Sequence, residues 1–347
     1  MEINMNMQKL VEQLRLGELL YEPEKVNGGL LHTVYRLIMA EGTFCLKVLN
    51  SEIMKRPEAL QNMINSERIA AAFCDEIPVV ASLAEEGKQI REWNTGLRTS
   101  RSEMRYYMVF PWIDGKSIFP GDIDEKHCEA IGHILGKIHK KNLALAGVRP
   151  EVESTEMYPW DNYLKLAKQD KNDENEWISC FEKAIGKIKD WNKRACEAQA
   201  DLAKNMVISH RDLDPKNVIW KNNQPYVIDW EAAGYINPYQ ELIEVINYWA
   251  DNGEGGLIKT HIEALLAAYS NYMELSDVEW DIVFDGGYAG MLGWLSYNLK
   301  RVLGIEATGE RERRLGEEQV KKTIRDMYRF QANIELIRGN ALEWRKQ

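Results

Sequence analysis

The chain has 347 residues, 45% hydrophobic and 28% charged, with 54 acidic side chains against 44 basic ones and a net charge of -10. That length suits two domains or one fold of two lobes. The excess of acid argues against general binding to nucleic acid or an anionic membrane, because nothing compensates phosphate charge globally.

Five scattered cysteines, an odd count with no Cys-x-x-Cys pair, suggest neither a disulfide framework nor a cysteine zinc site. Reduced thiols in a cytoplasm are the expected state. The N-terminal segment lacks the unbroken apolar core of a signal peptide. Nowhere do about 20 apolar residues run together, so no transmembrane helix is expected.

Residues 7–20 carry Leu10, Val11, Leu14, Leu16 and Leu19 near helical spacing and predict a leading amphipathic helix. Residues 21–26 and 34–40 read as strands around a turn at Asn27-Gly28-Gly29, and residues 43–49 as a third strand after Glu41-Gly42. A helix is expected over 57–74. Val79-Val80, 89–93 and 105–110 are expected to complete a small antiparallel sheet, with 94–104 as a polar hairpin loop. Beyond Gly115 the pattern turns helical: 126–141, 177–200, 239–251, 258–273, 278–302 and 316–340 all carry helical periodicity. The stretch 151–176 is rich in acids and Asn and reads as a solvated insertion. Short strand-like runs at 207–208, 218–220 and 226–228 lie inside this half. The expected plan is therefore a β-rich part over 1–113 and a larger helical part over 114–347.

The segment Ser209 to Trp220, SHRDLDPKNVIW, holds His210-x-Asp212 and then Asn217 five residues after the Asp. Asp229 follows at the end of an apolar run, Val227-Ile228-Asp229-Trp230. Phosphoryl transfer needs such a set. One carboxylate orients a hydroxyl and accepts its proton, while an amide oxygen and a second carboxylate hold the magnesium ions on the phosphates. Asp and Asn also cap ordinary turns, but three unrelated positions would have to coincide. Lys47 lies in an apolar strand, where an ammonium is costly to bury without an anion. Glu67 on the following helix is the expected partner, with Glu58 as a rival near the helix start. Gly28-Gly29 suits a hairpin whose exposed N–H groups meet phosphate oxygens, and an ordinary turn is the other reading.

On these residues the chain resembles the aminoglycoside phosphotransferase and choline kinase superfamily of protein-kinase-like enzymes. The resemblance is carried by Gly28-Gly29, Lys47, Glu67, Phe110-Pro111-Trp112-Ile113-Asp114-Gly115, Ile138-His139, His210 to Asn217, Ile228-Asp229-Trp230 and the run Asn237 to Leu242. It spans about residues 20 to 300. It implies an α+β, bilobal protein-kinase-like fold: an antiparallel-sheet lobe with one helix, and a mostly helical lobe that binds the acceptor. It also implies ATP and magnesium, with Asp212 as the catalytic aspartate and Asn217 and Asp229 on the metal. Lys47 would hold the α- and β-phosphates and pair with Glu67. Residues 110–113 would form the hinge, Pro111 and Ile113 meeting the adenine edge and Phe110 lining the pocket behind it.

The implied partner is a small-molecule hydroxyl acceptor: an aminoglycoside, an amino alcohol or a sugar. Trp230, where protein kinases place Phe-Gly, and the missing Ala-Pro-Glu favour the small-molecule branch over a protein Ser/Thr kinase. Arg211 resembles the protein kinases locally, and Lys216 replaces a common Gly. Tyr158-Pro159-Trp160-Asp161 is similar to kinase-like proteins of bacterial spore coats, so a non-catalytic binding or coat protein is the third reading. The intact set of Lys47, Asp212, Asn217 and Asp229 opposes it. His139 is expected to be a structural hydrogen-bonding residue.

Overall fold

A computed structural model describes residues 10–11, 14–26, 31–94, 104–150, 157–169, 176–306 and 309–343. The glycine turn at Gly28 and Gly29, the polar stretch 95–103 and most of the acidic insertion (151–156 and 170–175) lie outside the described residues. In chain order the first elements are β1 (Glu24–Val26), β2 (Thr33–Met39), β3 (Gly42–Val48), α1 (Ser51–Met54), α2 (Ala59–Phe73), β4 (Arg91–Asn94) and β5 (Met104–Pro111). Then come α3 (Glu125–Lys141), α4 (Trp160–Ala167), α5 (Glu176–Leu202), β6 (Val207–Ser209), β7 (Val218–Lys221), β8 (Gln224–Val227) and β9 (Gly234–Ile236). The remaining helices are α6 (Pro238–Trp249), α7 (Lys259–Ser270), α8 (Trp280–Gly286), α9 (Ala289–Val302) and α10 (Glu310–Glu343). The architecture is α+β, as the motifs imply.

The described chain divides into two compact units. The first joins residues 1–118 to 145–148 and 210–234, so the Asp212 loop and the Asp229 segment belong to the same unit as the sheet. Its sheet runs β1-β2-β3-β5-β4, antiparallel throughout. Alternation along β2 and β3 sends Leu37, Met39, Leu46 and Val48 into a core with Leu10, Val11, Leu14, Tyr107 and Val109. Lys47 and Cys45 necessarily face the other side. Val34 pairs with Lys47, and Cys45 pairs with both Arg36 and Phe110.

The leading helix is shorter than its periodicity predicts. Leu10, Val11 and Leu14 are buried, but Arg15 and Gly17 adopt positive φ (54° and 80°), and Leu19 bridges to Met39 of β2. Left-handed backbone cannot continue an α-helix, so the later leucines dock as extended chain. Val79 also departs from expectation. It forms a parallel bridge to Val227 instead of joining the five-stranded sheet. Val80 N–H donates to Val227 O at 2.9 Å, and Val227 N–H donates to Pro78 O at 2.8 Å. This pairing ties the segment after α2 to the strand leading into Asp229.

The second unit holds residues 119–144, 149–209 and 235–347. Helices α3 and α7 pack closely because Gly132 has no side chain: a Cβ there would lie 2.4 Å from Leu265 O. A buried network crosses this contact, with His139 Nδ1 2.8 Å from Tyr269 Oη and His139 Nε2 2.8 Å from Glu241 Oε2. His139 is thus the structural residue its position suggests. The span 278–302 folds as two helices, broken after Gly286, where a Cβ would meet Leu202 at 2.1 Å. The insertion is not wholly solvated either: α4 buries Trp160 and Tyr163. Trp160 Nε1 and Tyr158 N both donate to Asn192 Oδ1. Among the described residues no helix is long and apolar enough to cross a membrane, and none of the five cysteines forms a disulfide.

Candidate active site

The loop after β6 begins with His210, fully buried. Its Nε2 lies 3.0 Å from Ile228 O, and its Nδ1 accepts from Asp212 N–H at 3.2 Å. Trp230 packs edge-on against His210 (4.7 Å between centroids) and stacks on Phe73 of α2 at 5.7 Å. One imidazole therefore shapes the start of the loop and binds the segment that precedes Asp229. Arg211 and Asp229 both stand at positive φ, 64° and 60°. Such backbone is uncommon for residues with a side chain and needs support from its surroundings.

Asp212 uses both carboxylate oxygens. Asn217 Nδ2 donates to Asp212 Oδ2 at 2.9 Å and to Asp212 O at 2.8 Å, and Lys216 Nζ donates to Asp212 Oδ1 at 3.2 Å. Burial pushes the Asp212 carboxyl above its ordinary value, against the pull of Lys216. Lys216 also lies 3.4 Å from Asp214, so it neither points free to solvent nor stands alone; it bridges two acids. Asp214 in turn accepts from Lys216 N–H and begins the 3₁₀ turn Pro215–Asn217.

The β7–β8 hairpin then carries the chain back. Val218 pairs with Val227, the turn uses Asn222 and Asn223 at φ 51° and 60°, and Ile228 N–H donates to Asn217 O at 2.9 Å. Asn217 and Asp229 become near neighbours through this register. The hairpin is fixed to the segment after β5 by Lys116, which exchanges both backbone hydrogen bonds with Trp220 at 3.1 and 2.9 Å. Gly115 permits that approach, since a Cβ there would sit 2.4 Å from Trp220 O.

Lys47 is 9% exposed and finds its anions in Asp229 Oδ1 and Glu231 Oε2, each at 2.7 Å. Burial alone would lower its pKa; the two carboxylates outweigh that and raise it. The pairing expected with Glu67 is not formed. Glu67 is 5% exposed and accepts from Ser82 N–H at 3.0 Å, and burial raises its pKa. The physical reason is proximity of a better acid pair: the turn after Asp229 brings two carboxylates to the ammonium at once.

Glu231 is itself anchored. Its backbone oxygen accepts from Ser66 Oγ at 3.2 Å, and its Oε2 lies 3.1 Å from His32 Nε2, an ion-pair distance off the line of a good hydrogen bond. Burial would raise its pKa, but His32 and Lys47 together hold it down at about 2. The motifs name neither His32 nor Ser66. Alternation offered one signal for His32: it stands two residues before Val34, which pairs with Lys47. Phe110 pairs with Cys45 on the Lys47 side of the sheet, Pro111 pairs with Phe44, and Trp112 N–H donates to Thr43 O at 3.0 Å.

The donor set could hold a divalent cation. Asn217 spends its Nδ2 on Asp212 and so has its amide oxygen to offer, and Asp229 has a second carboxylate oxygen besides the one on Lys47. Among the described residues no group of three or more His, Cys, Asp or Glu side chains is set to hold a metal unaided. Magnesium characteristically needs only one or two carboxylates, with water and phosphate completing its shell.

A search of curated proteins gives no significant match. Among solved structures, spectinomycin phosphotransferase in complex with ADP and spectinomycin matches with a TM-score of 0.68 at 14% identity, covering 96% of this chain and 98% of that one. Amicoumacin kinase hAmiN in complex with AMP-PNP, Ca2+ and Ami matches at 0.57 and 14%, covering 94% and 96%. Choline kinase from Cryptosporidium parvum Iowa II matches at 0.56 and 14%, covering 94% and 92%. At such identity these likenesses speak for the protein-kinase-like fold. The profile of the phosphotransferase enzyme family matches residues 22–275, most of the chain, including Lys47 and the segment from Ser209 to Trp230, so the chain belongs to that family.

Proposed function

We propose that the protein is an ATP- and magnesium-dependent phosphotransferase that moves the γ-phosphate to a hydroxyl of a small molecule. The observation that carries this reading is the meeting of Asp212 with Asn217, and of Lys47 with Asp229, inside one compact unit. Asp212 would orient the acceptor hydroxyl and take its proton. Asn217 would hold the Asp212 carboxylate through Nδ2 and present its oxygen to the cation, alongside Asp229. Lys47, a buried ammonium with two carboxylate partners, would exchange part of that pairing for the α- and β-phosphates. Magnesium held there would neutralise charge on the phosphate oxygens. The adenine edge would meet backbone at Pro111 and Ile113, with Phe110 behind it. Pro111 offers only a carbonyl.

The acceptor classes we propose are an aminoglycoside, an amino alcohol or a sugar. The spectinomycin and choline kinases whose fold it shares support small-molecule acceptors. The test is a coupled assay with ATP and magnesium across those three classes, beside casein as a protein acceptor. Turnover on casein alone would replace this reading by a protein kinase, and no turnover with no nucleotide binding would favour a kinase-like scaffold.

A further inference from the structure

His32 and Glu231 lie outside the motifs from which the site is assembled, yet Glu231 contacts Lys47 and His32 contacts Glu231. We propose that His32 is a positioning residue for Lys47 that acts through Glu231: the imidazole anchors the carboxylate, and the carboxylate sets where the ammonium stands. The inference rests on Lys47 being a phosphate-binding residue.

Asn50 N–H donates to His32 Nδ1 at 3.0 Å. That makes Nδ1 an acceptor and leaves the ring proton on Nε2, which faces Glu231 Oε2 at 3.1 Å. The same oxygen takes Lys47 Nζ at 2.7 Å. One carboxylate oxygen therefore stands between an imidazole N–H and an ammonium. The His32 side chain is only 3% exposed, so water has little access to replace it. Lys47 has a second anion in Asp229 Oδ1, also at 2.7 Å. With Glu231 anchored, the ammonium is shared between two carboxylates. With Glu231 loose, its hold falls on Asp229, the residue assigned to the cation. His32 thus determines how much of Asp229 is left for that task. A purely structural His32 would only join the start of β2 to Asn50, and its loss would cost stability without touching nucleotide affinity specifically.

The experiment measures the Kd of AMP-PNP with magnesium by calorimetry on the full chain, unaltered and as His32→Leu, His32→Gln, Glu231→Gln and the double variant His32→Leu with Glu231→Gln, each with its melting temperature. His32→Leu should weaken binding several-fold, less than the roughly ten-fold of a well-aligned hydrogen bond to a charged group, because the Nε2 contact is close but poorly aligned. His32→Gln should recover most of that, because its amide can accept from Asn50 N–H and donate to Glu231. The double variant should bind no more weakly than Glu231→Gln alone, since the effect passes through Glu231. Unchanged affinity in His32→Leu, or fully additive losses in the double variant, overturns the proposal. Should His32→Leu fail to fold, His32→Asn, too short to reach both partners, takes its place in the same cycle. If the unaltered chain binds no nucleotide, the functional reading fails and this inference fails with it, a result distinct from normal binding with indifferent variants.

Discussion

Asp212 and Asp229 are both carboxylates beside a lysine, but their partners separate their effects. Asp212 is held by Asn217 and Lys216, whereas Asp229 is held by Lys47. Asp212→Asn should lower turnover by about 10²–10⁴-fold, the usual loss with a general base, and leave nucleotide affinity nearly unchanged. On the proposed function, Asp229→Ala should weaken magnesium-nucleotide binding as well, because it would remove the proposed cation ligand and takes away one of the two anions on Lys47. Turnover and nucleotide Kd, compared at matched melting temperature, separate the two roles; full turnover in Asp212→Asn would remove Asp212 from the chemistry. Glu231 gives a pH signature. Its folded pKa, about 2, lies below the ordinary 4.5, so its contribution to stability is complete above 4.5 and is lost as pH falls towards 2. Lys47 is raised from 10.5, so its contribution is complete below 10.5 and is lost only at higher pH. Urea midpoints of Glu231→Gln should therefore fall less steeply than those of the unaltered chain between pH 4.5 and 2. Equal steepness would mean that His32 and Lys47 do not hold the carboxylate. The charge pattern that singles out Lys47 says that it needs an anion but not which one. Glu67 lies at helical distance in sequence, while Glu231 arrives through a turn whose left-handed Asp229 no spacing rule announces.

The β7–β8 hairpin is the element that converts a sequence spacing into a site. The distance from Asn217 to Asp229 makes sense only when Val218 faces Val227; the apolar runs at 218–220 and 226–228 made two short strands legible there, and the structure gives their register. The strands of the sheet were legible for the same reason: alternation of Leu37, Met39, Leu46 and Val48 marks the core face. Three things were not legible. Val79 has the composition of a sheet strand and pairs with Val227 instead, a long-range choice that local pattern does not encode. The leading helix stops at residues whose positive φ is not marked by composition, Arg15 above all. Helix α4 lies in a stretch whose acids and Asn suggest a solvated loop, and its Trp160 and Tyr163 were outweighed. The hairpin's anchor gives a test. Gly115→Ala should destabilise the fold by about 1–3 kcal/mol, as overpacking against fixed backbone does, since the new Cβ would sit 2.4 Å from Trp220 O. Gly186→Ala in α5, with nothing within 4 Å, should instead stabilise by roughly 0.5–1 kcal/mol. Urea denaturation of both variants reads the contrast, and a neutral Gly115→Ala would mean that Lys116 and Trp220 do not hold the hairpin rigidly.

Across the whole chain, acidity and nucleotide binding have to be reconciled. A net charge of -10 repels a triphosphate at long range, and the Lys47 cluster itself holds more carboxylate than cation. On the proposed function, nucleotide affinity would then depend on local charge that a bound magnesium ion supplies. His32, Lys47, Asp212, Asn217, Asp229 and Glu231 all fall in the unit formed by residues 1–118, 145–148 and 210–234. A nucleotide that binds them stabilises that unit by mass action, about 2.7 kcal/mol at a hundred-fold excess over Kd. For a chain of this size that is a rise of several degrees, on the basis of roughly 2–4 °C per kcal/mol in somewhat smaller domains. Scanning calorimetry should therefore show AMP-PNP raising the melting temperature with magnesium present, and losing most of the rise when the metal is chelated. Asp229→Ala should show little magnesium-dependent rise. Where heating resolves two transitions, the one that moves should belong to the unit holding Lys47, which hydrogen exchange identifies by new protection in β2, β3 and the 210–231 segment. Protection confined to other segments would place the nucleotide away from Lys47, and an equal rise with and without metal would remove Asn217 and Asp229 from cation binding.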